Sequence, residues 1–146
     1  MTKPYPKNSL GELLLSHNND YGYDPLPIEK RANLKLPSLT VAIPYFEANN
    51  TINLVLKNLL KSIKELRSED SEWLVEVLVV DDGSPKYPAD KTIDPIYKSG
   101  IRIIQHQNNL GRFATRNSAI KHASNKVLLF MDADILLNES ILRGHL

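Results

Sequence analysis

The stretch VLLFMDADILL, residues 127–137, decides the fold. Its apolar run from Val127 to Met131 leads directly into Asp132-Ala133-Asp134, and apolar residues then resume. A continuous apolar run of this length is typical of a strand buried on both faces in a parallel sheet. The two carboxylates then lie on the rim where open α/β folds bind ligands, and there they can hold a divalent cation and, through it, a diphosphate. The competing interpretation is a solvated turn in which one Asp caps a helix.

The composition is that of one soluble domain. The chain has 146 residues, of which 42% are hydrophobic and 24% charged, which is ordinary for a globular protein with one core. A net charge of +1 without a run of basic residues does not indicate a positively charged surface of the kind that binds nucleic acid. The chain has no cysteine and no apolar run long enough to span a membrane. The apolar patch near its first residue, Leu13-Leu14-Leu15, is shorter than a secretory signal needs, so we do not expect one. We therefore expect no nucleic-acid partner, no membrane span and a cytoplasmic location, and we leave the oligomeric state open.

Residues 1–38 are predicted to form an N-terminal arm, with the domain covering residues 39–146. The arm holds five of the nine prolines and the loop-like string NNDYGYDPLP. Ser9 and Glu12 have capping-box spacing, which favours a short helix over residues 10–17. The residues of this arm suggest no catalytic or binding role.

From Leu39 onward, apolar strands alternate with helical segments. Strands are predicted at 39–43, 75–80, 101–104 and 127–131, amphipathic helices at 52–66 and 112–124, and an irregular loop at 86–95. Pro44 is expected to end the first strand, and Phe113 and Ile120 are expected to share one face of the last helix. The alternation predicts an α/β fold, a mostly parallel, Rossmann-like sheet flanked by helices. In such a sheet the polar residues of 44–50, 81–84 and 132–134 all fall on the carboxyl edge.

The common nucleotide and hydrolase motifs are missing. The sequence contains no G-x-G-x-x-G, no G-x-x-x-x-G-K-[ST] and no G-x-S-x-G. Its four histidines show no metal-ligand spacing, and His106 and His122 are expected to be plain loop and helix residues. What remains at the edge is a set of carboxylates, amides and one arginine, which favours phosphate bound through a cation.

Four motifs in order resemble the family 2 glycosyltransferases. LTVAIPYFEANNTINLVLKNLL (39–60) is similar to their first strand and helix, and EVLVVDDGS (76–84) to their second strand. NNLGRFATRNSAI (108–120) resembles their N-x-G-x-x-x-A-R-N-x-G motif, and residues 127–137 resemble the strand that ends in their D-x-D motif. The resemblance implies a GT-A fold, a nucleotide-sugar donor (UDP-sugars are the commonest), an unidentified acceptor, Mn²⁺ or Mg²⁺, and inversion at the anomeric carbon.

Carried over by position, the resemblance also implies a donor site. Asp82, with Asp81 beside it, accepts hydrogen bonds from the base, and Arg116 adds positive charge near the diphosphate. Asp132 binds ribose or metal, and Asp134 ligates the metal. The implied nucleotide-binding residues are Pro44, Tyr45, Phe46, Glu47, Asp81, Asp82, Asn109, Gly111, Arg116 and Asp132, and the implied metal ligands are Asp132 and Asp134. The sequence departs from the family at Glu47 (usually Asn), Thr115 (usually Ala) and Ala119 (usually Gly).

Length is the larger departure. Family members continue well beyond the D-x-D motif, and that later part carries the acceptor site and the general base. We therefore expect residues 39–146 to hold the donor-binding half, incomplete at the C-terminus and without the base. Three functions stay open: a glycosyltransferase present as its donor-binding part, a non-catalytic nucleotide-binding fragment or remnant, and a sugar nucleotidyltransferase. The last should have a glycine-rich basic loop after the first strand, which PYFEANN lacks.

Overall fold

The computed structural model describes residues 38–69, 73–125, 127–136 and 142. Strands β1 (Leu39–Tyr45), β2 (Val75–Asp81), β3 (Arg102–Gln105) and β4 (Val127–Phe130) form one parallel sheet in the order β3-β2-β1-β4. Helix α1 (Ile52–Glu69) follows β1, the one-turn helices α2 (Ala89–Thr92) and α3 (Pro95–Lys98) follow β2, and α4 (Arg112–His122) follows β3. The predicted α/β class is confirmed. The arm and its short helix lie outside the described residues, so the domain boundary stays a prediction.

Helix α1 covers one face of the sheet. Six of its apolar residues recur at helical spacing and are buried: Ile52, Val55, Leu56, Leu59, Ile63 and Leu66. They pack in one cluster with the odd-numbered residues of β1 and β2, such as Val41 and Val77. Burying one such side chain contributes about 1.5–3 kcal/mol, so this layer is the main core. No helix in the described part of the chain combines the length and apolarity needed to cross a bilayer.

Helix α4 covers the opposite face through small residues. Thr115 and Ala119, four positions apart, are its buried residues, and Ala119 packs in a cluster that includes Ala42 of β1. Phe113 is 78% exposed and Ile120 58%. The face that these two residues were expected to share is therefore exposed and does not pack on the sheet. Small side chains let the helix backbone lie close to the sheet, which a phenyl ring on that face would prevent.

Strand β1 continues through Pro44, so the prediction that Pro44 ends the strand is also wrong. Successive residues of a central strand bond to alternate neighbouring strands. The carbonyl of Ala42 accepts a hydrogen bond from Met131 N at 2.9 Å, on the β4 side, and Pro44 faces that same side. Because β4 ends at Phe130, opposite Ala42, the missing N–H of Pro44 forfeits no ladder bond among the described strands.

Strand β4 is less buried than its apolar run predicts. Val127 is 39% exposed, and Leu128 to Phe130 are half-buried. Since β4 is last in the strand order, it is an edge strand of the described sheet, with one neighbouring strand rather than two. Its side chains still reach both layers, because Leu129 packs against the α1 cluster and Phe130 against the α4 cluster.

Candidate functional site

A cavity of about 250 Å³ opens at the carboxyl edge of the sheet, between the ends of β1 and β2 and the start of α4. Its lining consists of Pro44, Tyr45, Phe46, Asp82, Asn109, Gly111, Arg112 and Thr115. All of these except Arg112 and Thr115 are site residues predicted from the sequence. The basic character of Arg112, next to Gly111 at the first helical position, was a signal that could have pointed to it.

Asp82 is a buried carboxylate that lines this cavity. It follows β2 directly and is 4% exposed. Its Oδ1 accepts a hydrogen bond from Leu110 N at 2.9 Å, and its Oδ2 accepts one from Gly111 N at 2.8 Å. Burial raises the pKa of Asp82, but these backbone bonds and the His106 ring outweigh it and hold the pKa below its ordinary value. Asp82 is therefore an anion that fixes the 110–111 loop to the end of β2.

His106 was expected to be a plain loop residue, yet its ring joins two elements. Nδ1 lies 2.9 Å from Oδ1 of Asp82, and Nε2 lies 2.8 Å from Oγ of Ser118 on α4. The side chain is 11% exposed. A signal was present in the register: Asp81 pairs with Gln105, so the residues that follow them, Asp82 and His106, are neighbours at the sheet edge.

Two glycines let the loops of the site approach each other. Gly83 has φ +70, and a Cβ placed on it would lie 2.5 Å from the carbonyl carbon of Asn108. The loop after β2 and the loop after β3 therefore touch backbone to backbone, which only glycine permits. Gly111 has φ 87 and ψ 163, a conformation essentially restricted to glycine, and in it the N–H of Gly111 reaches Asp82.

Asp81 is fully buried and organises the loop after β2. Its Oδ1 accepts a hydrogen bond from Ser84 N at 3.0 Å, and its Oδ2 accepts one from Ala89 N at 2.8 Å. It is not among the residues that line the cavity. The predicted contact of Asp81 with a base stays a prediction, and its described contacts hold residues 84–89 in place.

Glu47 links the loop after β1 to the loop after β2. Its φ of 51 lies in the left-handed region, which Asn tolerates better than Glu. Its Oε1 accepts hydrogen bonds from Lys86 N at 2.9 Å and Tyr87 N at 3.1 Å, and its own N–H donates to Ser84 Oγ at 3.0 Å. Glu47 connects two loops beside the cavity and is not part of the cavity lining, so its contact with a donor also stays a prediction.

Arg116 and Asp132 form an exposed pair at the same edge of the sheet. Arg116 Nη2 lies 3.8 Å from Asp132 Oδ1, and the two side chains are 44% and 58% exposed. The guanidinium also lies 5.4 Å from the centre of the Phe130 ring. An exposed ion pair contributes about 0–1 kcal/mol, so this pair opens readily. Neither residue is part of the cavity lining, nor is Asp134.

Asp132 and Asp134 offer a partial ligand set for a metal. Within the described ranges, no group of three His, Cys, Asp or Glu side chains is placed to hold an ion. Mg²⁺ is commonly bound through one or two carboxylates, with water and phosphate oxygens completing the shell. Asp132 and Asp134 lie exposed at the turn after β4, and such a pair fits that shared kind of site rather than a closed protein cage.

The sequence matches a family and several of its members. Residues 40–145 match the model of Glycosyl transferase family 2. An N-acetylglucosaminyltransferase of Bradyrhizobium elkanii is 31% identical over 111 residues, which cover 74% of this chain and 57% of that protein. The dolichyl-phosphate beta-glucosyltransferase ALG5C of Trichomonas vaginalis is 26% identical over 96 residues, which cover 65% of this chain and 28% of that protein. The chain thus spans from about a quarter to somewhat more than half of the length of these relatives.

Solved structures share the fold. S. aureus TarS in complex with UDP-GlcNAc superposes with a TM-score of 0.59 at 25% identity, covering 74% of this chain and 30% of that one. The mannosyltransferase PcManGT from Pyrobaculum calidifontis, in complex with GDP-Man and Mn²⁺, superposes with a TM-score of 0.61 at 21% identity. The match covers 74% of this chain and 31% of that one. These likenesses confirm the predicted GT-A type of α/β architecture. Because the family model matches residues 40–145, which are most of this chain, the chain belongs to glycosyl transferase family 2.

Proposed function

We propose that the cavity binds the nucleoside part of a nucleotide-sugar, a UDP-sugar first of all, and that the protein transfers the sugar to an acceptor hydroxyl with inversion. The observation that carries this proposal is the cavity itself, which joins a buried carboxylate, aromatic side chains and the first turn of a helix at the carboxyl edge of the sheet. The solved complexes of TarS with UDP-GlcNAc and PcManGT with GDP-Man support a nucleotide-sugar donor. Family membership favours a transferase over a sugar nucleotidyltransferase.

The cavity suits a nucleoside better than a whole nucleotide-sugar. Its volume of about 250 Å³ lies just below the range of roughly 300–1,000 Å³ that is usual for drug-sized ligands. Phe46, which is 48% exposed, offers its ring to the base, and Asp82 offers an acceptor. A base without a matching N–H leaves that buried carboxylate underpaired, at a cost of about 1–3 kcal/mol. Base selection is thus assigned to Asp82.

The diphosphate extends from the cavity toward positive charge. Arg112 lines the cavity on the first turn of α4, where the unpaired N–H groups of an 11-residue helix add positive potential. Arg116 lies one turn further along and contacts Asp132 and the Phe130 ring at 3.8 Å and 5.4 Å. Both arginines are therefore assigned to neutralising the leaving diphosphate.

The acceptor hydroxyl attacks the anomeric carbon from the side opposite the diphosphate, which inverts that centre. A Mn²⁺ or Mg²⁺ ion held by Asp134 and Asp132 would supply Lewis-acid stabilisation of the charge on the departing diphosphate. A carboxylate base takes the proton of the acceptor. Asp81 and Asp82 are occupied by loop amides, and Asp132 and Asp134 are assigned to the cation, so we assign the base to none of these four.

A thermal-shift titration of the full chain with UDP, with and without Mn²⁺, tests the proposal. UDP at one hundred times its Kd stabilises the fold by about 2.7 kcal/mol. We expect Asp134→Asn to remove the Mn²⁺-dependent part of this shift. Asp90→Asn removes the same charge from an exposed position in α2 and should leave the shift intact. The proposal fails if UDP does not stabilise the chain, or if the two variants behave alike.

A further inference from the structure

We propose that His106 is a positioning residue that fixes the carboxylate of Asp82 so that Oδ2 keeps an open acceptor toward the cavity, where the proposed function places the nucleoside part of the donor. A carboxylate has about four acceptor positions, two on each oxygen. Oδ1 is filled by Leu110 N and His106 Nδ1, whereas Oδ2 receives Gly111 N. Among the residues that the structure describes, none donates to the fourth position, on Oδ2, which we assign to a ligand donor.

The contacts of His106 determine how its ring acts. In a neutral imidazole one nitrogen donates and the other accepts. Because the ionised Asp82 can only accept, Nδ1 donates to it, and in the neutral tautomer that this requires Nε2 accepts from the hydroxyl of Ser118. The backbone N–H of His106 also donates to Asp81 O at 2.8 Å. The ring is thus held from both sides, and it cannot turn without losing hydrogen bonds.

The effect of His106 on the cavity passes through Asp82. His106 is not itself a lining residue, whereas Asp82 and Gly111 are. Without the Nδ1 donor, Oδ1 keeps the bond from Leu110 N and Oδ2 keeps the bond from Gly111 N. Both of these amides belong to one loop, so the carboxylate and the loop can shift together. The open acceptor position on Oδ2 then no longer has a fixed direction, and the loop of Leu110 and Gly111, which is bound to the carboxylate, becomes more mobile. Ligand affinity should therefore depend on the donor to Oδ1 and not on the contact with Ser118.

The same order of contacts, from carboxylate to imidazole to hydroxyl, activates serine nucleophiles in hydrolases. Ser118 does not fit that role here, since it lies in the interior of α4 and is not among the residues that line the cavity. Its contact with His106 is that of an anchor on the helix.

Two conservative variants separate the two ring contacts. An Asn side chain places its N–H₂ where Nδ1 stands, so His106→Asn keeps the donor to Asp82. A Gln side chain reaches the position of Nε2, so His106→Gln keeps the contact with Ser118 and loses the donor. Ser118→Ala removes the hydroxyl and leaves Nδ1 in place. These three variants of the full chain are compared with the wild-type protein by calorimetric titration with UDP and Mn²⁺, and by urea unfolding.

We expect His106→Gln to weaken UDP binding by about tenfold to a hundredfold, which is the loss typical of a hydrogen bond to a charged group. His106→Asn and Ser118→Ala should bind within about threefold of wild type, although each is destabilised through its lost contact. A purely structural role would make affinity follow stability. Equal UDP affinity of the Asn and Gln variants overturns the inference while leaving the proposed function standing.

Hydrogen exchange of the Leu110 and Gly111 amides provides a readout without nucleotide. Both amides donate to Asp82, and the Gly111 amide also donates to Asn109 Oδ1 at 3.0 Å. Protection should therefore fall in His106→Gln, more at Leu110 than at Gly111, and should persist in His106→Asn. If wild type binds no nucleoside diphosphate, the proposed function fails, and these two amides still decide the role of His106. Equal protection in the two variants overturns it.

Discussion

Replacing Gly83 with Ala should be among the most damaging single-methyl changes in this domain. The added Cβ would lie 2.5 Å from the carbonyl carbon of Asn108, 2.8 Å from its Cα and 2.8 Å from its oxygen. All three are backbone atoms, so no side-chain rotation can relieve the contact. The φ of +70 adds a second penalty, because an L-residue avoids this region.

The two penalties can be estimated separately. Left-handed backbone costs about 1–2 kcal/mol for a residue with a Cβ, and overpacking against a fixed neighbour costs about 1–3 kcal/mol. Their sum, about 2–5 kcal/mol, is a large share of the roughly 5–15 kcal/mol that stabilises an ordinary domain. The displaced loop also carries Asp82, so UDP affinity should fall together with stability.

Two other glycines provide matched controls for the same methyl group. Gly111→Ala meets no heavy atom within 4 Å and should lose only the backbone term, about 1–3 kcal/mol. Gly100→Ala meets the flexible end of Leu60 at 3.3 Å and should change stability by less than about 1 kcal/mol. Urea unfolding monitored by circular dichroism measures all three. A Gly83→Ala protein no less stable than Gly100→Ala would refute the reasoning.

The remaining predictions concern carboxylates. Burial raises the pKa of Asp82, but its hydrogen bonds outweigh burial and lower that pKa. Burial also raises the pKa of Glu76, and the hydrogen bonds from Thr40 and Ser124, together with the charge of Arg102, lower it below the ordinary value. The stability that these groups contribute is present above their ordinary pKa, about 4, and is lost as pH falls through the depressed folded values. Urea titrations from pH 7 to 2 should show this loss, with Glu76→Gln flattening it; an unchanged free energy of unfolding across that range contradicts the assignment. Glu47→Asn should relieve left-handed strain yet lose two backbone contacts, for a net destabilisation of about 1 kcal/mol, with Glu47→Gln closer to wild type. A Glu47→Asn protein more stable than wild type would show that the backbone strain at Glu47 costs more than its two side-chain hydrogen bonds contribute.

The positions of the strands and of α1 could be predicted because they depend on side-chain periodicity. Ile52, Val55 and Leu59 recur at helical spacing, and all three are buried as expected. The packing of α4 could not be predicted in the same way. Hydrophobicity ranks Phe113 above Thr115, but the close approach of the helix to Ala42 makes size the deciding property.

The division of roles between adjacent carboxylates also escaped prediction. Asp81 and Asp82 are chemically identical neighbours, yet one binds the amides of residues 84–89 and the other lines the cavity. Which of the two does which depends on the loop backbone that turns at Gly83 and lies against Asn108, a contact between segments distant in sequence. His106 is a different case, since the register of β2 and β3 would have placed it beside Asp82.

The position of β1 between β2 and β4 has a consequence for biosynthesis. Every residue that lines the cavity lies between Pro44 and Thr115, so a nascent chain that has emerged through α4 already carries the whole pocket. The strand that brings Asp132 and Asp134 is translated later and must close a long chain segment to pair with β1, which is an entropically slow step. During synthesis, therefore, the described residues that line the cavity have all been translated before β4 can pair with β1.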